Sequence, residues 1–336
     1  MVNEITNLAL SLDIKVIQKK IINIKSINAA TLIGKGVLID ISNFIMKNKI
    51  DLLICNHILT PNQQRNLENI IKVKVIDRSG VIIEIFAKRA LSREGKLQVQ
   101  LAELIYRKSR LVRAWTHLER QRGGISFIGG PGELQIELDR RQIQEKIESI
   151  KKKLKSVSNR RLIQRKSRNK SKFKVFAIIG YTNAGKTLLF NKLTKKEQLT
   201  ENKLFATLDT KISRMYLKKN TYVGLIDTVG FINNIPTQLI ESFKATLEEV
   251  NDSDHLLNIV DINDVNYQHK INVTKNILLE IGIDREKIDN MITVYNKIDL
   301  CDHNNFFNTK DRFYISALTD DGMNDLKDML KNIILL

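Results

Sequence analysis

The sequence predicts an α/β protein in three parts: a small α/β domain over residues 1–90, a long antiparallel helical hairpin with a basic linker over 91–172, and a phosphate-binding α/β domain over 173–336. Three observations predict it. A short apolar run, Val175 to Ile179, leads directly into a glycine-punctuated turn and then an amphipathic helix. Two apolar stripes of helical period flank a glycine-rich segment. Ahead of both, short apolar runs alternate with helical patterns, as in a layered α/β fold.

Composition narrows the function classes. With 43% hydrophobic and 27% charged residues the chain can build ordinary cores, but its formal net charge of +18 calls for a polyanionic partner, either nucleic acid or an acidic membrane surface. No uninterrupted apolar span or secretory pattern is present, which favours RNA or DNA, excludes stable membrane association and makes the expected location cytoplasmic. The expected solution state is a monomer. Cys55 and Cys301 have no second Cys or His at metal-ligand spacing and read as unpaired thiols. The five histidines are equally scattered, so no transition-metal site is expected.

In the first part, Leu8–Leu12, a helical stretch through Ile24, Ala30–Ile33, a helix near Val37–Met46 and Asp51–Cys55 succeed one another as strand-like and helical segments. Thr60, Pro61 and Gln63 form a capping-box pattern with proline at the first helical position, predicting a helix from there to Ile71, and Val73–Ile76 returns as a strand. No catalytic constellation is visible, so this part is expected to be a scaffold or docking element.

From Gly95 to Leu111 the pattern is continuously helical, with Leu97, Leu101, Leu104 and Leu111 on one stripe. Ile143, Ile147, Ile150, Leu154 and Val157 alternate steps of four and three, the seam of a coiled coil. The glycine-rich segment Gly123–Gly132 between them predicts a hairpin tip. Around it, Arg120, Gln121, Arg122, Ser126 and Phe127 combine cations, polar groups and an aromatic suited to RNA backbone and unstacked bases; the plain alternative is a loop between helices. Lys151–Lys174 contains no Asp or Glu, and reads either as a solvated helix end and linker or as a phosphate-contacting run.

Gly180 to Thr187, GYTNAGKT, fits the G-x-x-x-x-G-K-S/T loop. Its glycines let successive main-chain N–H groups face a β-phosphate at a helix N-terminus; Lys186 supplies a full charge to the β- and γ-phosphates, and the Thr187 hydroxyl is a Mg²⁺ ligand. Thr207, in FATLD, is a candidate for the second Mg²⁺ hydroxyl and a sensor of the γ-phosphate. Asp227, in DTVG after the strand Tyr222–Ile226, can hold the metal through water, and the Gly230 N–H can bond the γ-phosphate. Asn296, Lys297 and Asp299 form N-K-x-D after the strand Met291–Tyr295. There Asp299 accepts from guanine N1–H and N2–H₂, groups adenine lacks, Lys297 lays its stem over the base, and Asn296 ties two loops together. Backbone amides of Ser316, Ala317 and Leu318, after the strand Phe313–Ile315, would meet guanine O6. The expected nucleotide set is Gly180, Tyr181, Thr182, Asn183, Ala184, Gly185, Lys186, Thr187, Leu188, Phe205, Thr207, Asp227, Gly230, Asn296, Lys297, Asp299, Ser316, Ala317 and Leu318. Lys186, Thr207 and Gly230 carry the catalytic contacts, and Thr187, Thr207 and Asp227 the metal. This order of motifs predicts a P-loop GTPase domain with GTP as substrate and Mg²⁺ as cofactor.

GYTNAGKT, KLFATLD, DTVGFI and KATLEEV, with the upstream stretches DRSGVIIEIFAKRA, EGKLQVQLAELIY, GGPGE and LDRR, resemble the HflX family of ribosome-associated GTPases from about Ala30 onward. The resemblance implies a cytoplasmic GTPase that binds the large ribosomal subunit and its RNA, with a tip matching Arg120–Gly132 that approaches the peptidyl-transferase region and helps split or rescue stalled ribosomes. The chain departs from the family pattern at Thr187, where serine is commoner, and at Ser126, Phe127 and Ile128 in the tip. It ends at Leu336, whereas many members continue into a further small domain.

Phe231 stands where Ras-like enzymes place a water-orienting glutamine, which predicts slow hydrolysis alone and stimulation by ribosomes. Asn183 is a candidate for holding K⁺ beside the phosphates; the plain alternative is a turn-favouring asparagine. Two other functions fit the same motifs: an RNA-docking GTP switch in ribosome assembly with hydrolysis as a timer, and a GTP-independent RNA binder.

Overall fold

A computed structural model describes residues 2–111, 131–169, 174–195, 204, 205, 208, 211–218, 221–233, 236, 239, 241–243, 249–301, 306–309 and 311–335. The tip residues 112–130 and Thr207 therefore lie outside the described residues. The chain forms two compact units, Met1–Lys88 with Leu97–Leu154, and Arg89–Lys96 with Lys155–Leu336.

The first unit holds α1 (Val2–Ser11), α2 (Lys35–Asn48), β1 (Leu52–Cys55), α3 (Pro61–Ile71), β2 (Lys74–Asp77), α4 (Arg78–Arg89) as far as Lys88, and two long helices in part, α5 (Arg93–Leu111) from Leu97 and α6 (Pro131–Asn169) as far as Leu154. Strands β1 and β2 pair in parallel, Leu52 opposite Lys74. The capping box closes as its spacing predicts: Thr60 Oγ1 accepts from Gln63 N–H at 3.2 Å, and Thr60 N–H donates to Gln63 Oε1 at 3.0 Å. Leu67 and Ile71 of this helix then bury against Leu38, Ile45 and Val75.

Three expectations in this unit are corrected. Leu8–Leu12 reads as a short apolar run, but Ile5, Leu8 and Ala9 repeat at helical period within the helix Val2–Ser11: Leu8 and Ala9 are buried while Leu10 is exposed. The stretch through Ile24 is not helical; Ile17, Ile21 and Ile24 are exposed while Ile22 packs on the core, too little burial to offset the low helix propensity of β-branched residues. Ala30–Ile33 is a turn closed by paired bonds between Asn28 and Leu32.

The hairpin stripes meet. Leu101 packs with Ile147, Ile150 and Leu154, and Leu97, Leu104, Ile105 and Ile143 surround them. The basic run, which by composition suits a helix end or a linker, is helix as far as Asn169.

The last turns of α5 are held by a buried carboxylate. Asp77, 0% exposed at the end of β2, accepts from Leu59 N–H, from Gly80 N–H at 2.8 Å, from the Tyr106 hydroxyl at 2.7 Å and from Arg110 Nη2 at 2.6 Å. The Arg110 guanidinium also lies 4.1 Å from the Tyr106 ring centroid. Burial and the Asp77 charge push the Tyr106 pKa well above its ordinary value, so the hydroxyl stays a donor. Gly80 is required here: a Cβ would lie 2.8 Å from Ile76 Cγ2 and 3.0 Å from the Tyr106 hydroxyl.

The second unit is a six-stranded sheet in the order β4-β5-β3-β6-β7-β8, comprising β3 (Val175–Gly180), β4 (Lys211–Lys218), β5 (Thr221–Asp227), β6 (His255–Asp261), β7 (Ile292–Asn296) and β8 (Arg312–Tyr314). Of these strands, β4 runs antiparallel, against β5, and the rest are parallel. All six residues of β3 are buried, as a central parallel strand requires. Helices α7 (Lys186–Thr194) and α10 (Met323–Leu335) pack Leu189, Phe190, Leu326 and Leu330 against Phe176, Ile178, Val223, Leu225, Leu257, Ile259 and Val294, and α8 (Tyr267–Ile281) and α9 (Arg285–Asp289) lie between them in the sequence. Strands β4 and β6 are elements that the motif reading did not name.

Removing the Asp77 carboxylate strands the Arg110 guanidinium and the neighbouring donors. Asp77→Ala is expected to lower unfolding free energy by about 3–5 kcal/mol in chemical denaturation, against at most about 0.5 kcal/mol for Ile39→Ala on the exposed face of α2.

Candidate functional site

The carboxyl ends of β3, β5, β6 and β7 and the loop after β8 bring the predicted motifs to one edge of the sheet, where α/β folds of this kind bind ligands. Each glycine of the phosphate loop answers a specific neighbour. Gly180 has φ +138°, and a Cβ would lie 2.3 Å from the Ile259 carbonyl oxygen of β6. Gly185, at φ +92° immediately before α7, would place a Cβ 2.2 Å from Asn296 Nδ2. Asn183 is exposed at φ +64°, a conformation asparagine tolerates better than most residues.

Lys186 Nζ donates to the Tyr181 carbonyl at 2.7 Å from a buried position. Burial pushes its pKa down to about 8, with Asp227 opposing the shift, so an arriving polyphosphate would supply the counter-charge this ammonium lacks. Thr187 Oγ1 donates to Asp227 Oδ2 at 3.0 Å, joining the first turn of α7 to the end of β5. The Leu188 side chain packs into the core, leaving only its main chain for a nucleotide.

The DTVGF segment is laced to the phosphate loop through main chain. Thr182 N–H donates to the Phe231 carbonyl at 2.8 Å, and Phe231 N–H donates to the Gly180 carbonyl at 3.0 Å. Between them Gly230 has no room for a side chain: a Cβ would lie 2.7 Å from Thr182 Cγ2 and 3.0 Å from Lys186 Nζ. The Phe231 side chain is buried, 2% exposed.

On the base side, Asn296 Nδ2 donates to the Ala184 carbonyl at 2.9 Å while its Oδ1 accepts from Ala317 N–H at 2.9 Å. Lys297, at φ +69°, pairs its Nζ with Asp261 Oδ2 at 2.6 Å. Asp299 Oδ1 accepts from the Ser316 hydroxyl at 2.5 Å. The N–H groups expected at guanine O6 all donate within the protein: Ser316 to the Asp321 carbonyl at 2.9 Å, Ala317 to Asn296, and Leu318 to Ser316 Oγ at a long 3.3 Å. Phe205 is buried at φ +56°; Thr207 lies outside the described residues.

Motif reading missed one cluster. Tyr181 turns its side chain toward the DTVGF segment and α8: its hydroxyl accepts from Asn233 N–H at 2.9 Å, and Lys270 Nζ sits 4.6 Å from its ring centroid. Lys270 is ion-paired to Asp264. Burial alone would raise the Asp264 carboxyl, but Lys270 and the Asn266 N–H outweigh it and hold the pKa below its usual value. The available signal was the acidic D-I-N-D stretch directly after the apolar run of β6.

Comparison with known proteins agrees with this geometry. Family models described as GTP-binding GTPase N-terminal, GTP-binding GTPase Middle Region and 50S ribosome-binding GTPase match residues 1–87, 89–168 and 175–297. The GTPase HflX of Magnetococcus marinus is 42% identical over 99% of this chain and 78% of its own length, and that of Caldanaerobacter subterraneus is 43% identical over 98% and 76%. The fold resembles the crystal structure of a GTP-binding protein from the archaeon Sulfolobus solfataricus in complex with GDP, at TM-score 0.51 and 25% identity, covering 99% of this chain and 95% of that one. With identity of this size along nearly its whole length, the chain belongs to the HflX family of GTPases.

Proposed function

We propose that this GTPase binds the large ribosomal subunit in its GTP form, helps split or rescue stalled ribosomes in the cytoplasm, and acts as a monomer. The observation that carries the nucleotide half is the pair of hydrogen bonds made by the Asn296 side chain, which ties the phosphate loop to the Ser316–Leu318 loop. The ribosomal half is supported by the family, by the net charge of +18, and by the acid-free run Lys151–Lys174. Among the described residues no helix is long and apolar enough to cross a membrane. The division at 90/91 and 172/173 into scaffold, RNA-contacting hairpin and GTPase belongs to the same proposal.

In this scheme Gly180–Leu188 cradle the phosphates with main-chain N–H groups, and Lys186 balances their charge. Hard oxygen donors suit Mg²⁺, and Thr187 Oγ1 and Asp227 Oδ2, 3.0 Å apart, fit such an ion. Among the described residues no group of three His, Cys, Asp or Glu side chains could hold a metal. Mg²⁺ would neutralise charge on the β- and γ-oxygens; Thr207 would add a second hydroxyl, and Gly230 N–H a γ-phosphate contact. Asp299 selects guanine, Lys297 covers the base, and Leu318 N–H, in the longest of the three amide contacts, is the one released most cheaply toward O6. Phe205 completes the proposed set, and Asn183 is the proposed K⁺ ligand.

Asp299→Asn places a donor where guanine also donates, and is expected to weaken GTP binding roughly a hundredfold without loss of fold, measured by nucleotide titration; unchanged affinity removes Asp299 from the base site.

Phe231 can neither orient water nor leave its buried position without breaking main-chain bonds. Turnover should be slow for the protein alone, rise at least about tenfold with large ribosomal subunits, and be faster in K⁺ than in Na⁺. A rate indifferent to subunits contradicts the coupling; equal rates in the two salts remove the K⁺ role.

Replacing several cations of Lys151–Lys174 by glutamine is expected to flatten the salt dependence of subunit binding, by about one unit of log–log slope for each phosphate no longer neutralised. Cosedimentation with a GTP analogue and with GDP at several salt concentrations reads this, and equal affinity in both nucleotide states favours the GTP-independent RNA binder.

A further inference from the structure

The β4–β5 hairpin at the edge of the sheet presents a face that the nucleotide pocket does not use. Along β4, Ser213 and Met215 are buried while Ile212, Arg214 and Tyr216 are exposed, and a bulge ends the alternation after Tyr216. Tyr216 is 76% exposed. It lies opposite Tyr222 in the antiparallel register, with ring centroids 6.3 Å apart and planes tilted by 57°. The Arg214 guanidinium sits 4.8 Å from the Tyr222 ring centroid. From Thr210 to Ile226 the sequence contains Lys211, Arg214, Lys218 and Lys219 but no Asp or Glu.

We propose that this face is a stacking platform for unpaired RNA bases, a second RNA-contacting surface carried by the GTPase domain itself. It rests on the reading that the protein docks on ribosomal RNA and gives that reading a site outside the hairpin. A cation–π contact holds the Tyr222 ring and the Arg214 plane in place, and Tyr216 offers an open aromatic face beside them. Flat rings accept any base, and the Arg214 guanidinium beside them offers a charge to the phosphates between bases. A membrane surface is served less well, because insertion needs a continuous apolar patch and Leu217 turns inward against the core.

The test uses the full chain and a single-stranded RNA of about 12 nucleotides containing 4-thiouridine. Photocrosslinking followed by trypsin should leave a nucleotide adduct on the peptide Met215–Lys218, released by cleavage after Arg214 and Lys218. Tyr216→Ala should weaken binding of this RNA about tenfold, and Tyr216→Phe, which keeps the aromatic face, should not. GTP affinity and intrinsic turnover should match wild type in both variants, establishing that each is folded. Undiminished RNA affinity in Tyr216→Ala overturns the platform, as does Tyr216-dependent attachment to phosphatidylglycerol vesicles with none to RNA. Tyr216-dependent RNA binding by a chain that ignores large ribosomal subunits would leave the platform standing and sink the ribosomal reading; subunit binding with RNA affinity unchanged by Tyr216→Ala does the reverse.

Discussion

The site depends on one side-chain amide. Asn296 spans loops 112 and 21 residues away in the sequence, donating to the Ala184 carbonyl and accepting from Ala317 N–H. Because the side chain is almost wholly buried, its amide cannot fall back on water, and losing either partner would leave an unsatisfied polar group costing about 1–3 kcal/mol. The same amide explains Gly185, since any Cβ there would occupy the position of Nδ2. Loop geometry on the phosphate side and loop geometry on the base side are thus a single constraint. A nucleotide that fits one half finds the other already placed, so less ordering entropy opposes its binding.

The first unit solves a different problem with comparable means. A two-stranded parallel sheet is a small platform on which to root a long helix pair. Apolar packing along Leu101, Ile147, Ile150 and Leu154 joins the two helices to each other, and α5 buries Val99 and Ala102 besides. Asp77 supplies the directional part: its oxygens take donors from the α3 approach, the start of α4 and the last turns of α5, and those donors cannot all be met in a second arrangement. Burying a charge this way is costly, and its use is uniqueness of position more than net stability.

What could be read from the sequence divides along the same line between local and distant causes. Thr60, Pro61 and Gln63 act on their own backbone, so their spacing was sufficient; so did the apolar steps that joined α5 to α6. N-K-x-D and GYTNAGKT were legible because phosphate and guanine geometry fix their spacing. Leu8–Leu12 failed because five residues show only an apolar run, while the helical period emerges when Ile5 is included. β4 failed because its neighbours decide it: Lys211–Lys218 has an ordinary polar–apolar alternation that becomes a strand by pairing with β5. The Tyr181–Asn233 and Tyr181–Lys270 contacts, likewise, join residues 52 apart and a helix from another part of the sheet edge, and no local pattern encodes them.

The lacing of DTVGF to the phosphate loop bears on how nucleotide state could be transmitted at all. The bonds are main-chain to main-chain, Thr182 to Phe231 and Phe231 to Gly180, each worth on the order of 1 kcal/mol net. A γ-phosphate bonded by Gly230 N–H, as proposed, would compete with contacts of that same size, which are strong enough to give the segment a defined position and weak enough to be exchanged. The Phe231 side chain sets the direction of any such movement. Exposing a buried aromatic ring costs about 1.5–3 kcal/mol, so departure from the loop is favourable only when something else covers the ring or takes over the bonds. In the proposed scheme a residue that cannot orient water would still bear on turnover, by making movement of this segment depend on whatever covers its ring.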